Sequence, residues 1–356
     1  MSNIINFNDQ VNLSQSKDLI LNSRKTRFHL VGEPGIGKTS IVKALREATG
    51  YSSATMSVPD MDLGDVSMPI IHHESKTTRY YPNARFLMHL DKPVIICLDE
   101  YTKGNDPVKN MLHPLFDTFE PRLGDIMVHP ESIIFSTGNL ESDGVGDSMK
   151  AHTRMRLCVM PVAKPSAEQW KIWASENGIH PVIIAWADRY QHAFASYTDG
   201  DQEGNEFIFN PRHQRDGYVT PRTLEQASNI IHNKDGYDNH SLRVALAGQI
   251  GKSAAESVAS FIRHHDSLPS WASLISDPDR ADMPTDPGAL AVMVFSSIER
   301  IQDSKELDSL LTYLKRADEE WQSIFCIGLA KNPAKQAIAF ANKSFASWVA
   351  LNEDLL

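Results

Sequence analysis

Short, continuous runs of apolar residues alternate with helical stretches through the first half of the chain. The apolar runs predict strands at Phe28–Val31, Val94–Leu98, Ile133–Thr137 and Leu157–Met160. Because these runs do not alternate with polar residues, each strand is expected to be buried on both faces, as in a parallel sheet covered by helices. The stretch Lys38–Thr49 is predicted to form the helix that follows the first strand.

Capping and turn residues add two local predictions. Asp106 and Pro107 are suited to be the N-cap and first residue of a helix that continues through Phe116. The turn-like segment His129–Ser132 separates the short apolar run Ile126–Val128 from the strand beginning at Ile133. This pattern predicts a β-hairpin that feeds a core strand.

The strand signals end at Pro161, and most of the later sequence is typical of helices. Ser166 and Gln169 form a capping-box pattern at the start of a helix, and Pro181–Ala195 predicts another. We place a boundary near Pro161–Pro165. The predicted domains are an α/β core at residues 1–163, a helical domain at 164–270 and a C-terminal helical extension at 271–356.

Composition narrows the class of protein. The 41% hydrophobic and 22% charged residues are typical of a globular chain, and the net charge of −10 disfavours a general nucleic-acid binder. A ring with a basic central channel could still hide a positive surface. The three cysteines have no C-x-x-C spacing, no apolar run approaches the roughly 18 residues of a membrane span, and the N-terminus is unlike a secretion signal. We therefore expect a soluble, cytoplasmic protein without disulfides, a zinc site or a membrane segment.

A glycine-rich phosphate-binding loop is the strongest motif. The segment Gly32–Thr39 satisfies G-x-x-x-x-G-K-[ST] between a predicted strand and a predicted helix. Backbone N–H groups of such a loop surround the β-phosphate, the lysine reaches the β- and γ-phosphates, and the threonine hydroxyl binds Mg²⁺. The predicted nucleotide-binding residues are Gly32, Glu33, Pro34, Gly35, Ile36, Gly37, Lys38, Thr39 and Ser40.

Two further strands end in residues suited to phosphate chemistry. Asp99 and Glu100 follow the second apolar strand, where the first carboxylate can join Thr39 in binding Mg²⁺ and the second can polarise an attacking water. Asn139 follows the strand beginning at Ile133, and its amide could position that water or contact the γ-phosphate. These residues predict hydrolysis of a nucleoside triphosphate.

In this order, the three elements resemble Walker A, Walker B and sensor 1 of the AAA+ ATPases. Lys150–Leu157 matches the position of the arginine finger, and Pro221-Arg222 resembles sensor 2. The segment Asp60–Pro69 and the region Leu123–Pro130 resemble the MoxR-type branch. The resemblance covers roughly residues 15–270 and implies an α/β P-loop AAA+ core with a helical lid and a C-terminal helical extension.

The resemblance also implies ATP and Mg²⁺ as cofactors, and a homo-oligomeric ring, which the resemblance implies to be a hexamer. Arg222 would contact the γ-phosphate within its own subunit, and an arginine finger would act on the neighbouring subunit. MoxR-like proteins usually have Asp-Arg-Phe at the finger, where this chain has Thr153-Arg154-Met155. We favour Arg154 as the finger, with Arg156 as the alternative.

The sequence motifs do not identify the client on which the ATPase acts. The resemblance implies remodelling or assembly of a protein client, in some relatives beside a partner with a von Willebrand factor A-like domain. One alternative is a DNA-directed motor related to helicases or clamp loaders, which the acidic charge balance disfavours. The other is an assembly protein whose ATP-bound ring is the product and whose turnover is incidental.

Overall fold

The computed structural model describes residues 10–140, 149–200, 202–213 and 215–352. The chain divides into two compact units, Met1–Lys164 and Pro165–Leu356. The first is an α/β unit and the second a helical unit. The further division predicted at residue 270 stays a prediction.

A five-stranded parallel sheet forms the centre of the α/β unit, in the order β2-β5-β8-β1-β9. The strands described in this unit are β1 Phe28–Val31, β2 Ser52–Ser57, β3 Ser67–His72, β4 Thr77–Pro82, β5 Val94–Asp99, β6 Arg122–Leu123, β7 Ile126–Met127, β8 Ile133–Gly138 and β9 Cys158–Pro161. Strands β3 and β4 pair as one antiparallel hairpin, and β6 and β7 as another.

The interior strand β5, between β2 and β8, is buried on both faces of this sheet. Its residues Val94, Ile96 and Leu98 belong to one apolar core, whereas Ile95 and Cys97 belong to the core on the opposite face. The described helices of the unit are α1 Leu13–Asn22, α2 Ile41–Thr49, α3 Leu63–Val66, α4 Asp106–Leu112 and α5 Ala151–Arg154. The continuous apolar run thus contributes to two cores, and the prediction of a covered parallel sheet is confirmed.

Three local predictions need correction. The predicted hairpin joins the wrong segments: Ile126–Met127 pairs with Arg122–Leu123 across a turn at Gly124, while β8 pairs with β5 and β1. Gly124 adopts the left-handed φ of 57° that such a tight turn requires. The N-cap of α4 is Asn105, not Asp106, since the Asn105 side chain accepts from the backbone N–H of Val108.

The third correction concerns continuous helices. The segment predicted as one helix at 106–116 is α4 followed by a 3₁₀ turn, and the segment 38–49 begins with a 3₁₀ turn before α2. In both cases a helix of the expected polarity is present, but its first or last turn is tighter than an α-helix.

The helical unit confirms the loss of strand signals after Pro161. Its described helices are α6 Ala167–Glu176, α7 Pro181–Arg189, α8 Pro221–His232, α9 Asn239–Ile250, α10 Lys252–Asp266, α11 Trp271–Ser276, α12 Pro287–Arg300, α13 Ser304–Leu314, α14 Glu319–Lys331, α15 Pro333–Ala341 and α16 Lys343–Leu351. The Ser166–Gln169 capping box forms, and the predicted helix 181–195 ends at Arg189 before a 3₁₀ turn. Among the described residues, no helix has both the length and the apolarity needed to cross a membrane.

Candidate nucleotide site

The candidate site lies where three neighbouring strands of the parallel sheet end. Strands β5, β8 and β1 are adjacent, and their carboxyl ends lead into Asp99, Asn139 and the glycine-rich loop. Because parallel strands end at the same edge, segments far apart in sequence meet there. The structure therefore brings together the motifs that the sequence identified separately.

Backbone conformation shapes the glycine-rich loop. Gly35 and Gly37 adopt φ angles of 75° and 100°, in the left-handed region that favours glycine. At Gly32 a Cβ atom would lie 2.7 Å from the carbonyl oxygen of Val162, so only glycine fits against this neighbouring strand end. The hydroxyl of Ser40 donates to the carbonyl of Gly37 at 2.6 Å, and this hydrogen bond stabilises the end of the loop.

The ammonium group of Lys38 lies under the loop and is mostly buried. Its Nζ donates to the carbonyl oxygens of Gly32 and Glu33, each at 2.7 Å, and to Oδ1 of Asn139 at 3.2 Å. A buried cation is stable only with such partners. These bonds place a positive charge between the loop and the end of β8, where a phosphate group would need it.

Two hydroxyls hold the carboxylate of Asp99. Oδ1 of Asp99 accepts from the hydroxyl of Thr39 at 2.9 Å and from the hydroxyl of Thr137 at 2.5 Å. Thr137 is 1% exposed and also accepts from the backbone N–H of Glu100 at 3.1 Å. This threonine, which the sequence did not single out, connects both acidic residues to β8.

Glu100 leaves the strand in an unusual conformation. Its φ of 51° is left-handed, and a 3₁₀ turn at Tyr101–Lys103 follows directly. The turn brings Nζ of Lys103 to within 2.6 Å of Oε1 of Glu100. Lys103 therefore holds the carboxylate that we predict to act as the base, and the only sequence signal for this pair was a lysine three residues after the glutamate.

A buried histidine lies behind the loop, in the middle of β1. Nδ1 of His29 is 2.8 Å from the hydroxyl of Ser136 on β8, and a Cβ atom at position 138 would lie 2.8 Å from Nε2. Burial, and secondly the charge of Lys38, lowers the pKa of His29 to about 3. His29 is therefore neutral at physiological pH and forms part of the polar support under the site.

The three predicted arginines are exposed. Arg154 ends α5, Arg156 lies two residues later just before β9, and Arg222 is in the first turn of α8 in the helical unit. Neither Arg154 nor Arg156 stands out as the better finger from its exposure. The roles of all three stay predictions.

Taken together, the fold and the phosphate loop define a P-loop nucleotide-binding unit. Residues 27–157 match the family model of the AAA domain (dynein-related subfamily), a segment that includes the loop, Asp99, Glu100 and Asn139. The α/β unit is therefore an AAA domain, and the protein is an ATPase. No curated protein matches the chain significantly.

Solved structures of RuvB from Thermotoga maritima are also similar to this chain. The Holliday junction branch migration motor is 16% identical with a TM-score of 0.38, covering 70% of this chain and 67% of the other. Two point mutants of that RuvB are each 14% identical to this chain, with TM-scores of 0.40. The match to one mutant covers 87% of this chain and 90% of the mutant chain, and the match to the other covers 86% of both chains. Similarities this low do not bear on the function of the protein.

Proposed function

We propose that the protein is a ring-forming, MoxR-like AAA+ ATPase that hydrolyses ATP with Mg²⁺ to remodel or assemble a protein client. The observation that carries the proposal is the meeting of Lys38, Asp99, Glu100 and Asn139 at one edge of the sheet. A cation, a metal-binding carboxylate, a general base and a water-orienting amide are the groups that phosphoryl transfer to water requires.

The oxygen atoms at the site fit Mg²⁺. The hydroxyl of Thr39 and the carboxylate of Asp99 are hard oxygen ligands, and they lie in direct contact at 2.9 Å. When bound, Mg²⁺ supplies positive charge against the β- and γ-phosphates. Thr39 and Asp99 would hold it, and Thr137 would keep the Asp99 carboxylate turned toward Thr39.

The remaining groups act on the phosphates and on water. The loop N–H groups and Lys38 bind and orient the triphosphate of ATP. Asn139 orients a water molecule for attack on the γ-phosphorus, and Glu100 accepts the proton that this water loses. For this, the Glu100 carboxylate must exchange its contact with Lys103 for a contact with water.

Two substitutions test these roles. Glu100→Gln preserves the shape of the side chain but removes the basic oxygen, so it should keep ATP binding and lower hydrolysis by about 10²-fold or more. Lys38→Ala should lose ATP affinity instead. Nucleotide binding and phosphate release are measured for both, with the exposed Glu47→Gln on α2 as the control. Normal hydrolysis by Glu100→Gln would show that Glu100 is not the base.

Ring formation is supported by the position of Arg154, exposed at the end of a short helix outside the loop that binds ATP in its own chain. An arginine supplied by a neighbour is typically worth about 10³–10⁵ in rate. Mixing Arg154→Ala subunits with Glu100→Gln subunits should therefore restore some activity. At an interface between the two, the Arg154→Ala subunit supplies an intact Glu100 and its neighbour supplies an intact Arg154.

The matched mixture uses Arg222→Ala, because Arg222 is proposed to serve the ATP of its own subunit. Combined with Glu100→Gln, it should restore no activity. Subunit exchange is verified with two affinity tags. Recovery with Arg222→Ala instead would reverse the assignment, and recovery with Arg156→Ala would move the finger by two residues.

A protein client is supported by apolar residues exposed on two hairpins of the AAA domain. Met68, Ile70 and Ile71 on β3 and Met127 on β7 are each about half exposed or more. The hairpins are joined, since the N–H of Asp125 donates to a carbonyl of β4 at 2.9 Å. An apolar surface suits an unfolded polypeptide better than it suits phosphates.

This part of the proposal has its own test. Casein, as an unfolded protein, should stimulate ATP hydrolysis, and Ile71→Ser should reduce the stimulation but leave basal hydrolysis intact. Stimulation by DNA and not by casein would favour the DNA-directed motor. If the ring assembles fully with a non-hydrolysable ATP analogue, an assembly role would be favoured over remodelling. The resemblance to MoxR-like proteins also suggests a partner protein with a von Willebrand factor A-like domain.

A further inference from the structure

A large groove crosses the surface of the helical unit, in a part of the chain to which the proposed ATPase chemistry assigns no role. It has a volume of about 990 Å³ and is lined by α6, α7, α12, α14 and the segments next to them. All of its lining residues belong to the unit Pro165–Leu356.

Residue spacing shows that the groove is elongated. From α6 it is lined by positions 168, 171, 172 and 175, and from α14 by positions 320, 321, 324, 327, 328 and 331. Within each set the positions are one, three or four residues apart, so each helix turns one continuous face toward the groove. The face of the 13-residue helix α14 is about 20 Å long at 1.5 Å per residue. A helix of about 13 residues has the same length.

Part of the lining of the groove is apolar. Phe295 of α12 and Trp321 and Ile324 of α14 line it with half-buried side chains, and Ile172 of α6 is 40% exposed. These residues offer apolar surface at the spacing with which one helix packs against others. The helical faces and these apolar residues together match the way in which grooves between helices bind an amphipathic helix.

Charge determines which amphipathic helix fits. Five carboxylates line the groove, from Glu168, Asp188, Glu299, Asp318 and Glu320, against three cationic side chains. Lys171 forms ion pairs with two of these carboxylates, Glu168 and Asp188, so these three side chains together keep one negative charge. The other lining carboxylates, Glu299, Asp318 and Glu320, outnumber the other two cations, Arg189 and Lys331, which leaves the lining with a net charge of −2. Over residues 165–356 there are 26 acidic and 17 basic residues, which accounts for −9 of the net charge of −10.

We propose that this groove binds an amphipathic helix of a partner protein whose polar face is rich in lysine and arginine. The apolar face of the partner helix would cover Phe295, Trp321 and Ile324, and its cations would face the carboxylates on the rim. The interaction does not depend on bound ATP or on the proposed remodelling activity. The partner contacts a surface of the helical unit that is separate in sequence from the nucleotide-binding motifs.

The test uses three fluorescein-labelled peptides with the full-length protein. One is an amphipathic leucine–lysine helix, the second replaces every lysine by glutamate, and the third is a scrambled leucine–lysine sequence without an apolar face. Binding is followed by fluorescence anisotropy without nucleotide, at about 0.15 M salt, where charges farther apart than about 8 Å are screened. The amphipathic basic peptide should bind, and the other two should bind at least about tenfold more weakly.

Two neighbouring residues of α14 provide a matched pair of variants. Glu320 lines the groove and Glu319 does not, although both are exposed in the first turn of the same helix. Glu320→Lys should weaken binding of the basic peptide about threefold to tenfold, whereas Glu319→Lys should change it less than twofold. Both variants alter the net charge and the helix terminus equally, so the difference reports contact with the groove.

Four outcomes would overturn the proposal. In the first, the basic amphipathic peptide does not bind; in the second, the acidic or the scrambled peptide binds equally well. In the third, the two glutamate substitutions have equal effects on binding. In the fourth, Glu320→Lys changes the oligomeric mass of the protein measured without peptide. The last result would make the groove an interface between copies of this chain. Loss of ATP hydrolysis in Glu100→Gln leaves peptide binding unchanged, so failure of the ATPase proposal and failure of this one are distinguishable.

Discussion

The support of Asp99 by Thr137 gives a prediction whose size follows from the hydrogen bonds. Thr137→Val replaces the hydroxyl by a methyl group of similar shape and so removes the bond to the Asp99 carboxylate and the bond from the N–H of Glu100. A hydrogen bond to a charged group contributes about 1.5–3 kcal/mol and a neutral one about 0.5–1.5 kcal/mol. We therefore expect a loss of about 2–4 kcal/mol in the stability of the sheet around β8.

Thr102→Val is the matched control. Thr102 is also buried, at 8% exposure, but its hydroxyl has no hydrogen-bond partner among the described residues. Burial of an unpaired hydroxyl costs about 1–3 kcal/mol, so its removal should leave stability unchanged or raise it. The two variants make the same chemical change in two buried threonines, and only the hydrogen bonding differs.

The assay must report on the AAA domain alone. All six tryptophans lie in residues 165–356, so tryptophan fluorescence would follow the helical unit. Hydrogen exchange with mass spectrometry on peptides covering β5 and β8 reads the required region. Protection there should fall roughly 30- to 1,000-fold in Thr137→Val, which is the fold-change for about 2–4 kcal/mol.

A functional readout accompanies the exchange experiment. Since Thr137 orients the carboxylate that we propose binds Mg²⁺, Thr137→Val should raise the Mg²⁺ concentration needed for half-maximal hydrolysis, and Thr137→Ser should stay near the wild-type value. Equal loss of protection in Thr137→Val and Thr102→Val would refute the reasoning, because the hydrogen bonds to Asp99 and Glu100 would then contribute nothing measurable.

Two further predictions concern other parts of the chain. His180 caps α7 by accepting from the N–H of Val182 at 3.2 Å, and burial, then the charges of His265 and His232, lowers its pKa to about 3. The unfolded chain therefore binds a proton that the folded chain excludes, so the stability of the helical unit should fall as the pH is lowered from about 7 to about 5. Tryptophan fluorescence follows the unfolding of this unit, and His180→Asn should make its stability less dependent on pH. Gly124→Ala would bring a Cβ atom to 2.4 Å from the carbonyl of Tyr80, whereas Gly50, also left-handed, has nothing within 4 Å. Gly50→Ala should lower the free energy of unfolding by about 1–2 kcal/mol, and Gly124→Ala should lower it by at least about 1 kcal/mol more. Gly124→Ala should also speed hydrogen exchange in residues 67–82. Equal losses in the two variants would contradict the predicted clash with Tyr80.

Local sequence determined the chemical motifs and the most strongly apolar elements. The glycine-rich loop, the acidic end of β5 and the Ser166 capping box each depend on residues close together in the chain, and the structure shows the predicted strand–loop–helix context around them. Strand β2 was missed because its sequence, Ser52–Ser57, has no apolar run. It forms a strand by pairing with β5 at the edge of the sheet.

Strand pairing and the geometry of the sites were decided by the tertiary structure. The hairpin error arose because the segment at Ile126 had two possible partners, and only the placement of β8 between β5 and β1 removed one of them. The contacts of Lys38 with Asn139 and of Thr39 with Asp99 join residues 101 and 60 positions apart. The groove likewise needs α6 and α14 side by side. A sequence specifies local conformation through its own residues, but contacts between distant residues depend on how the whole chain packs its apolar surfaces.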